Sequence, residues 1–382
     1  MTAYYFVTPC DVMFPRGNHH FGSSGAESGQ TIMPPRPSVF AGAFRSSLAA
    51  AHPESLPAVE RGDAPSDAVV SAILGSAAKP GSFRITLVAL ARNVQGAISP
   101  LHPLPADLLA FDDQKGLILR RLKPEKPLDH TRLSSRLPLV PILQAPQKKP
   151  LGSLWLTEKG WNDTLAGKIP PSTELHASGA LWKSELRLGI ALDGQTRTAA
   201  DGKLFTSNAI SLHNGVGFLV GIEGVGTSLP ECGGLRLAGD GRGADYRLCT
   251  WKMAPPPVER IRSTGAFRLV MVTPGIFNTG WVPSLVENID GTYRLRGKGF
   301  SARLACAALA GSETVSGWDL AREAPKPALR AVPAGSVYWF DEFDGQVDAL
   351  ASWVENGLWT DGEASVHRAE GFNRAHLGVW IE

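Results

Sequence analysis

The chain has 382 residues, 43% of them hydrophobic, with 41 glycines and 29 prolines, which is enough apolar mass for two or three packed domains built from turns and short strands. A formal charge of only +2 excludes a globally basic nucleic-acid coat, and no run reaches the ~18 apolar residues of a membrane-spanning helix. Four scattered cysteines without a CxxC pair exclude a zinc site or disulfide framework by spacing, and MTAYYFVTPCDVMF lacks a basic, cleavable leader, so a reducing cytoplasm is expected.

Tyr4–Met13 (YYFVTPCDVM) reads as a first strand and Phe14–Gln30 as a Gly/Ser/His loop holding Asn18, His19 and His20. Adjacent histidines could supply acid–base chemistry for RNA cleavage, touch RNA, bind a metal or merely be exposed. On a strand they would face opposite ways. Pro37 and Ser38 mark a helix start, followed by Val39, Phe40, Ala43, Phe44, Ser47 and Leu48 at helical spacing. Arg36 before it and Arg45 within it make its N-terminus a candidate anion site, unless Arg45 only snorkels at the surface.

Phe83–Leu90 reads as the next strand. Gln95–Pro150 is proline-rich without sustained periodicity, and between Lys115 and Lys149 it carries nine Lys/Arg against two acids. It reads as a basic insertion on a domain. From Arg187 to Glu223, strand-like flanks Leu188–Leu192 and Val216–Ile222 enclose a turn-rich middle with Arg197, Thr198, Lys203, Ser207, Asn208 and His213. A cationic, hydroxyl-rich loop between strands suits a phosphate backbone, although such loops are often just solvated connections.

Gly239–Gly243, around Arg242, has neither Rossmann nor P-loop spacing and reads as a tight turn between strands. Pro255–Pro257 looks like a joint. Phe267–Thr273, Phe300–Ala310 and Val337–Phe340 read as strands, with a hairpin over Trp318–Pro333. Between Asp341 and Glu370 eight acids face one base, a candidate protein-contact surface. Asp341, Glu342 and Asp344 are expected to cap the helix Gln346–Asn356, which Gly357 closes, rather than hold a metal. Trp318, Trp339, Trp353, Trp359 and Trp380 are expected in core or interface. A glycine turn, Gly371–Gly378, feeds a last strand.

This alternation predicts an α+β chain of two ferredoxin-like (RRM-like) domains with antiparallel sheets and long loop and hairpin insertions. Residues 1–230 would form the first, carrying the insertion around 95–150. Residues 231–382 would form the second, ending in the glycine-rich loop and strand.

FPRGNHHFG, TIMPPRPSVFAGAFRSSL, RLGIALDGQTRTAADGKLFT, VTPGIFNTGW, GWDLAREAPKPALRAVPAGSVYWF and GFNRAHLGVW, in this order, resemble the Cmr subunit three family. These are repeat-associated mysterious proteins (RAMPs) of type III-B CRISPR effector complexes. The resemblance covers nearly the whole chain and is least matched over Gln95–Pro150. It implies paired RRM-like folds, a glycine-rich RNA-contacting loop mapping onto Gly371–Gly378, and no catalytic role. It also implies binding of the crRNA 5′ tag, contact with the large polymerase-like subunit and contact with the adjacent backbone subunit. Glycine would let the RNA backbone approach the main chain.

The expected RNA surface comprises Asn18, His19, His20, Arg36, Ser38, Arg45, Arg197, Thr198, Lys203, Asn208, Arg242, Gly371, Asn373, Arg374 and His376. No catalytic residue, metal or cofactor is expected. The first rival is an endoribonuclease that processes repeat RNA through His19 or His20. The second is a protein-docking subunit without RNA contact.

Overall fold

The computed structural model describes residues 2–17, 31–113, 116–128, 136–145, 148–239, 241–319, 321–360 and 366–380, with the side chains of 200–205 outside the description. It is a mixed α+β chain dominated by antiparallel sheets, with few helices. No helix among the described residues is long and apolar enough to cross a membrane. Two compact units are each assembled from separate stretches: Met1–Ile98, Gly179–Thr250 and Thr314–Ala328 in the first, and Ser99–Ser178, Trp251–Glu313 and Leu329–Glu382 in the second.

In the first unit, the strands Cys232–Leu237, Arg242–Cys249, Ala3–Pro9, Val216–Glu223 and Arg84–Val94 lie side by side in that order, each pair antiparallel. Ala3–Pro9 alternates, with Tyr5 and Val7 turned toward the helix Pro37–Ala50. Proline occupies that helix's first turn, where its missing N–H leaves no bond unmade. Phe40, Phe44 and Leu48, one turn apart, bury one stripe. The Phe40 ring meets Phe218 at 5.0 Å, and Phe44 meets Tyr246 at 5.3 Å and Tyr5 at 5.8 Å. Each such ring contributes about 2–3 kcal/mol by burial, so helix and sheet hold each other. Two of these strands come from beyond residue 230 because Arg242–Cys249 completes the ladder of Ala3–Pro9; the compact units therefore do not coincide with a division at 230.

In the second unit, Val286–Ile289, Thr292–Gly297, Phe300–Ala308, Val337–Gly345, Phe267–Met271 and Ala375–Val379 form a six-stranded antiparallel sheet in that order. Phe267, Leu269 and Met271 join Leu304, Phe340, Leu350, Val354 and Leu377 in its core. The helix Val347–Glu355 supplies Val347, Leu350 and Val354 and is followed by Gly357 at φ +86°, as a left-handed stop requires.

Two expectations need correction, the turn-rich middle and the acidic helix cap. The turn-rich middle of Arg187–Glu223 is mostly strand: Trp182–Leu192 pairs with Ala199–Leu212, leaving only a short turn. Its polar residues are tolerated in a ladder because much of this hairpin faces solvent. The proline-rich segment from residue 95 to 150 carries short strand pairs of its own. It contains the pairs Leu108–Asp113 with Gly116–Arg121 and Lys123–Glu125 with Val140–Ile142, and Leu137 enters the second unit's core. Asp341 and Glu342 do not cap the helix, since they lie in the strand Val337–Gly345. Asp341 takes a two-pronged bond from Arg303 at 2.9 and 2.8 Å, and Glu342 pairs with Arg303 at 3.1 Å and with Arg294. Asp344 lies in the same strand. Trp318, expected in core or interface, is 57% exposed and so lies outside the core.

Candidate nucleic-acid interface

The hairpin of the first unit has two unlike faces, because side chains alternate along a strand. Leu186, Leu188, Ile190 and Leu192 fall on one face and are 70, 69, 49 and 62% exposed. Lys183, Glu185 and Arg187 fall on the other. The same alternation is visible in the sequence, but there it reads as a half-buried strand.

At the tip, the Asp193 carboxylate accepts N–H bonds from Gln195 at 2.9 Å and Thr196 at 2.8 Å, and the Thr196 hydroxyl at 3.0 Å. The Thr196 and Gln195 N–H bonds, with that hydroxyl, hold Asp193 below the usual carboxylate range. Asp193 therefore stays ionised at the tip, with its Oδ1 holding the turn. Arg197 sits at φ +56° and is exposed, and the Thr198 hydroxyl shares a 2.8 Å bond with that of Thr196. Asn208 faces Leu186 across the ladder and accepts the Ser184 hydroxyl at 2.6 Å. Lys203 belongs to the ladder, but its side chain lies outside the described residues.

At the hairpin base, Met13 and Ile210 exchange N–H···O bonds of 2.9 Å in both directions. Next to Met13, Phe14 lies under the Arg242 guanidinium, 5.4 Å from the ring centroid, and Arg242 also pairs with Asp11 at 3.7 Å. The fold thus brings Arg242 and Asn208 to one end of the hairpin. Arg36 instead turns inward, and its Nη2 donates to the Thr314 carbonyl; Ser38 and Arg45 are half-buried on the helix. Asn18, His19 and His20 lie outside the described residues.

In the second unit the terminal glycine loop is wired into the protein. The Gly371 carbonyl accepts the Thr273 hydroxyl at 3.0 Å. Asn373, fully buried at φ +59°, accepts the Ile276 N–H at 2.6 Å and donates to the Ile276 carbonyl at 3.1 Å. Buried Arg374 donates from Nη1 to the Glu355 carbonyl at 2.8 Å. These inward assignments correct the expectation that Asn373 and Arg374 present their side chains to RNA. Buried main-chain groups need partners, and these side chains supply them.

His376 Nδ1 accepts the Trp161 indole N–H at 2.9 Å, and the ring of buried His102 stacks on Trp161 at 4.3 Å. Burial pushes His376 down to about 4. Burial, and then the neighbouring His376, push His102 well below its ordinary value. Both rings are neutral near pH 7, so His376 offers no cation to a phosphate. Among the described residues, no three His, Cys, Asp or Glu side chains come together as a metal site.

A family profile described as CRISPR-associated protein (Cas_Cmr3) matches residues 5–380. Among solved structures, the chain is similar to a subunit of "Type III-B Cmr-beta bound to cognate target RNA", with 15% identity and a TM-score of 0.49 over 97% of this chain and 96% of that one. It is also similar to a subunit of the form bound to target RNA and AMPPnP, state 1, with 14% identity and a TM-score of 0.48 over 96% and 93%. No curated protein matches the sequence. The profile runs through both compact units and nearly all of their elements, and on that match the chain belongs to the CRISPR-associated Cmr3 family.

Proposed function

We propose that the chain is a non-catalytic RNA-binding scaffold subunit of a type III-B CRISPR effector complex in the cytoplasm. It grips the 5′ tag of the crRNA and bridges the large polymerase-like subunit to the adjacent backbone subunit. The observation that carries this reading is the family match over residues 5–380. Strand order supports the further reading of two ferredoxin-like halves. Counted along the chain, Ala3–Pro9, Arg84–Val94, Val216–Glu223 and Arg242–Cys249 stand in the order 4-1-3-2, and so do Phe267–Met271, Phe300–Ala308, Val337–Gly345 and Ala375–Val379.

The RNA-contacting side chains in this reading are Arg197, Thr198, Lys203, Asn208 and Arg242 of the first unit, an exposed tip followed by a cation-bearing base. Asn373 and Arg374 hold the terminal loop in shape, with its main chain from 371 to 374 bonded within the protein.

The test is crosslinking of 5′-labelled crRNA in the reconstituted complex, with peptide mapping and an assay for cut repeat RNA in the same tube. Tag crosslinks on residues 193–208 without cleavage are expected. An absence of RNA crosslinks anywhere on this chain overturns the RNA-binding role. Cleavage that disappears on changing His19 or His20 to alanine overturns the non-catalytic one.

A further inference from the structure

The stretch from Val272 to Trp281, VTPGIFNTGW, carries part of the family resemblance and has no role in the reading above. It leaves the strand Phe267–Met271 as a loop anchored at both ends. On the near side, Gly275 and Val332 exchange N–H···O bonds of 2.8 Å each way. There the Asn373 amide also spans both polar groups of Ile276, at 2.6 and 3.1 Å. On the far side, the Thr279 hydroxyl donates to the Val282 carbonyl at 2.8 Å, and the Tyr338 hydroxyl donates to the Trp281 carbonyl at 2.6 Å. Between them the Gly280 N–H returns to the Phe277 carbonyl at 3.0 Å, with Gly280 at φ +84°. A side chain there would be strained. Phe277 is buried beneath the turn, so the turn cannot lift away without exposing a ring.

This fixed turn presents Asn278, Thr279 and Gly280 to solvent, with Trp281 and Tyr293 half-buried beside it. The two rings lie 5.9 Å apart and are tilted by 55°. Among the described residues, the Asn278 amide, the Trp281 indole N–H and the Tyr293 hydroxyl make no hydrogen bond. An amide offers a donor and an acceptor about as far apart as those on a base edge, and aromatic rings supply a stacking face. The tip itself is polar, an amide, a hydroxyl and a glycine, with the aromatic pair beside it.

We propose that Asn278, Thr279, Trp281 and Tyr293 form a recognition spot for one unpaired RNA base, carried by the second unit and additional to the hairpin contacts. This rests on the reading that the chain binds RNA. Asn278 reads the base edge, and the aromatic pair receives its face.

The test uses the full-length chain and fluorescein-labelled single-stranded oligo(A), oligo(U) and oligo(C) of about twelve nucleotides, within the range one binding groove occupies. Anisotropy titrations of wild type are expected to rank the three homopolymers. Asn278→Ala should keep the mean affinity within about twofold while shrinking the ranking by about tenfold, the discrimination that one pair of base-edge hydrogen bonds supplies. Photocrosslinking to 5-bromouridine RNA should mark the peptide containing Trp281. If wild type binds none of the three, both this spot and the RNA-binding reading fail. If wild type binds, Asn278→Ala keeps the ranking and no adduct maps to that peptide, the spot fails and the RNA-binding reading stands.

Discussion

Asn373 shows how one residue type can mislead. In a glycine-rich stretch of a chain resembling RNA-binding proteins, an asparagine suggests a base contact. Its left-handed backbone and its hold on Ile276 make it a plug instead. Asn373→Ala should leave the half-buried N–H and C=O of Ile276 without their partner and lower stability by about 2 kcal/mol, read as a shift in urea midpoint. Asn373→Gly, which tolerates the positive φ, should be milder by about 1 kcal/mol; equal losses would show that the backbone conformation contributes nothing. His376 carries a pH dependence whose direction follows from its lowered value. The unfolded chain takes up a proton below about 6.5, whereas folded His376 stays neutral to about 4. Stability is therefore unaffected well above pH 6.5 and falls as pH drops toward 4, by up to about 3 kcal/mol from this group. His102 adds in the same direction. His376→Asn, whose Oδ1 can still accept the Trp161 N–H, should flatten the slope between pH 7.5 and 5 in denaturant titrations. An unchanged slope would locate the effect elsewhere.

Among the elements, those with short-range signals were legible. The helix Pro37–Ala50 begins at its proline and buries Phe40, Phe44 and Leu48 as their spacing requires. The helix Val347–Glu355 stops before Gly357. The hairpin Trp182–Leu192 with Ala199–Leu212 was only half legible, since its Gly, Asp and Asn content suggests a loop while ladder pairing makes a strand. Arg197→Glu at its tip should weaken crRNA-tag binding and reduce the slope of log affinity against log salt by about 0.7 for each phosphate that is no longer neutralised; an unchanged slope would remove Arg197 from the interface. A different dependence holds the second unit. Buried Arg268 donates to the Val379 carbonyl at 2.9 Å, to the Thr164 carbonyl at 2.5 Å and to Asp107, which also meets Arg121 at 3.6 Å. Burial and the nearby Arg268 lower Arg121 to about 10. Asp107→Asn would leave two guanidiniums around an uncharged amide and should cost about 3–5 kcal/mol, measured by thermal unfolding. A loss under about 1 kcal/mol would mean the arginines find other partners.

For the molecule as a whole, the order of pairing matters more than the order of residues. A fragment ending at residue 230 would lack Arg242–Cys249 and leave one edge of Ala3–Pro9 open, an invitation to edge-to-edge association. It should aggregate or melt without cooperativity, whereas the intact chain should unfold cooperatively. A soluble, cooperatively melting 1–230 fragment would show that its first half folds without those strands.

The family, the antiparallel α+β character and the helix ends were determined by the sequence itself, because they rest on motif order, alternation and local stop signals a few residues long. Only tertiary structure decided which polar side chains remain outside. Asn373 lies 97 residues from Ile276, and Arg303 lies 38 from Asp341. No local pattern reports such pairings, since a polar side chain turns inward only when a distant segment brings a buried group that needs it. The hairpin's apolar stripe stays outside for the complementary reason: among the described residues, no segment is folded over it.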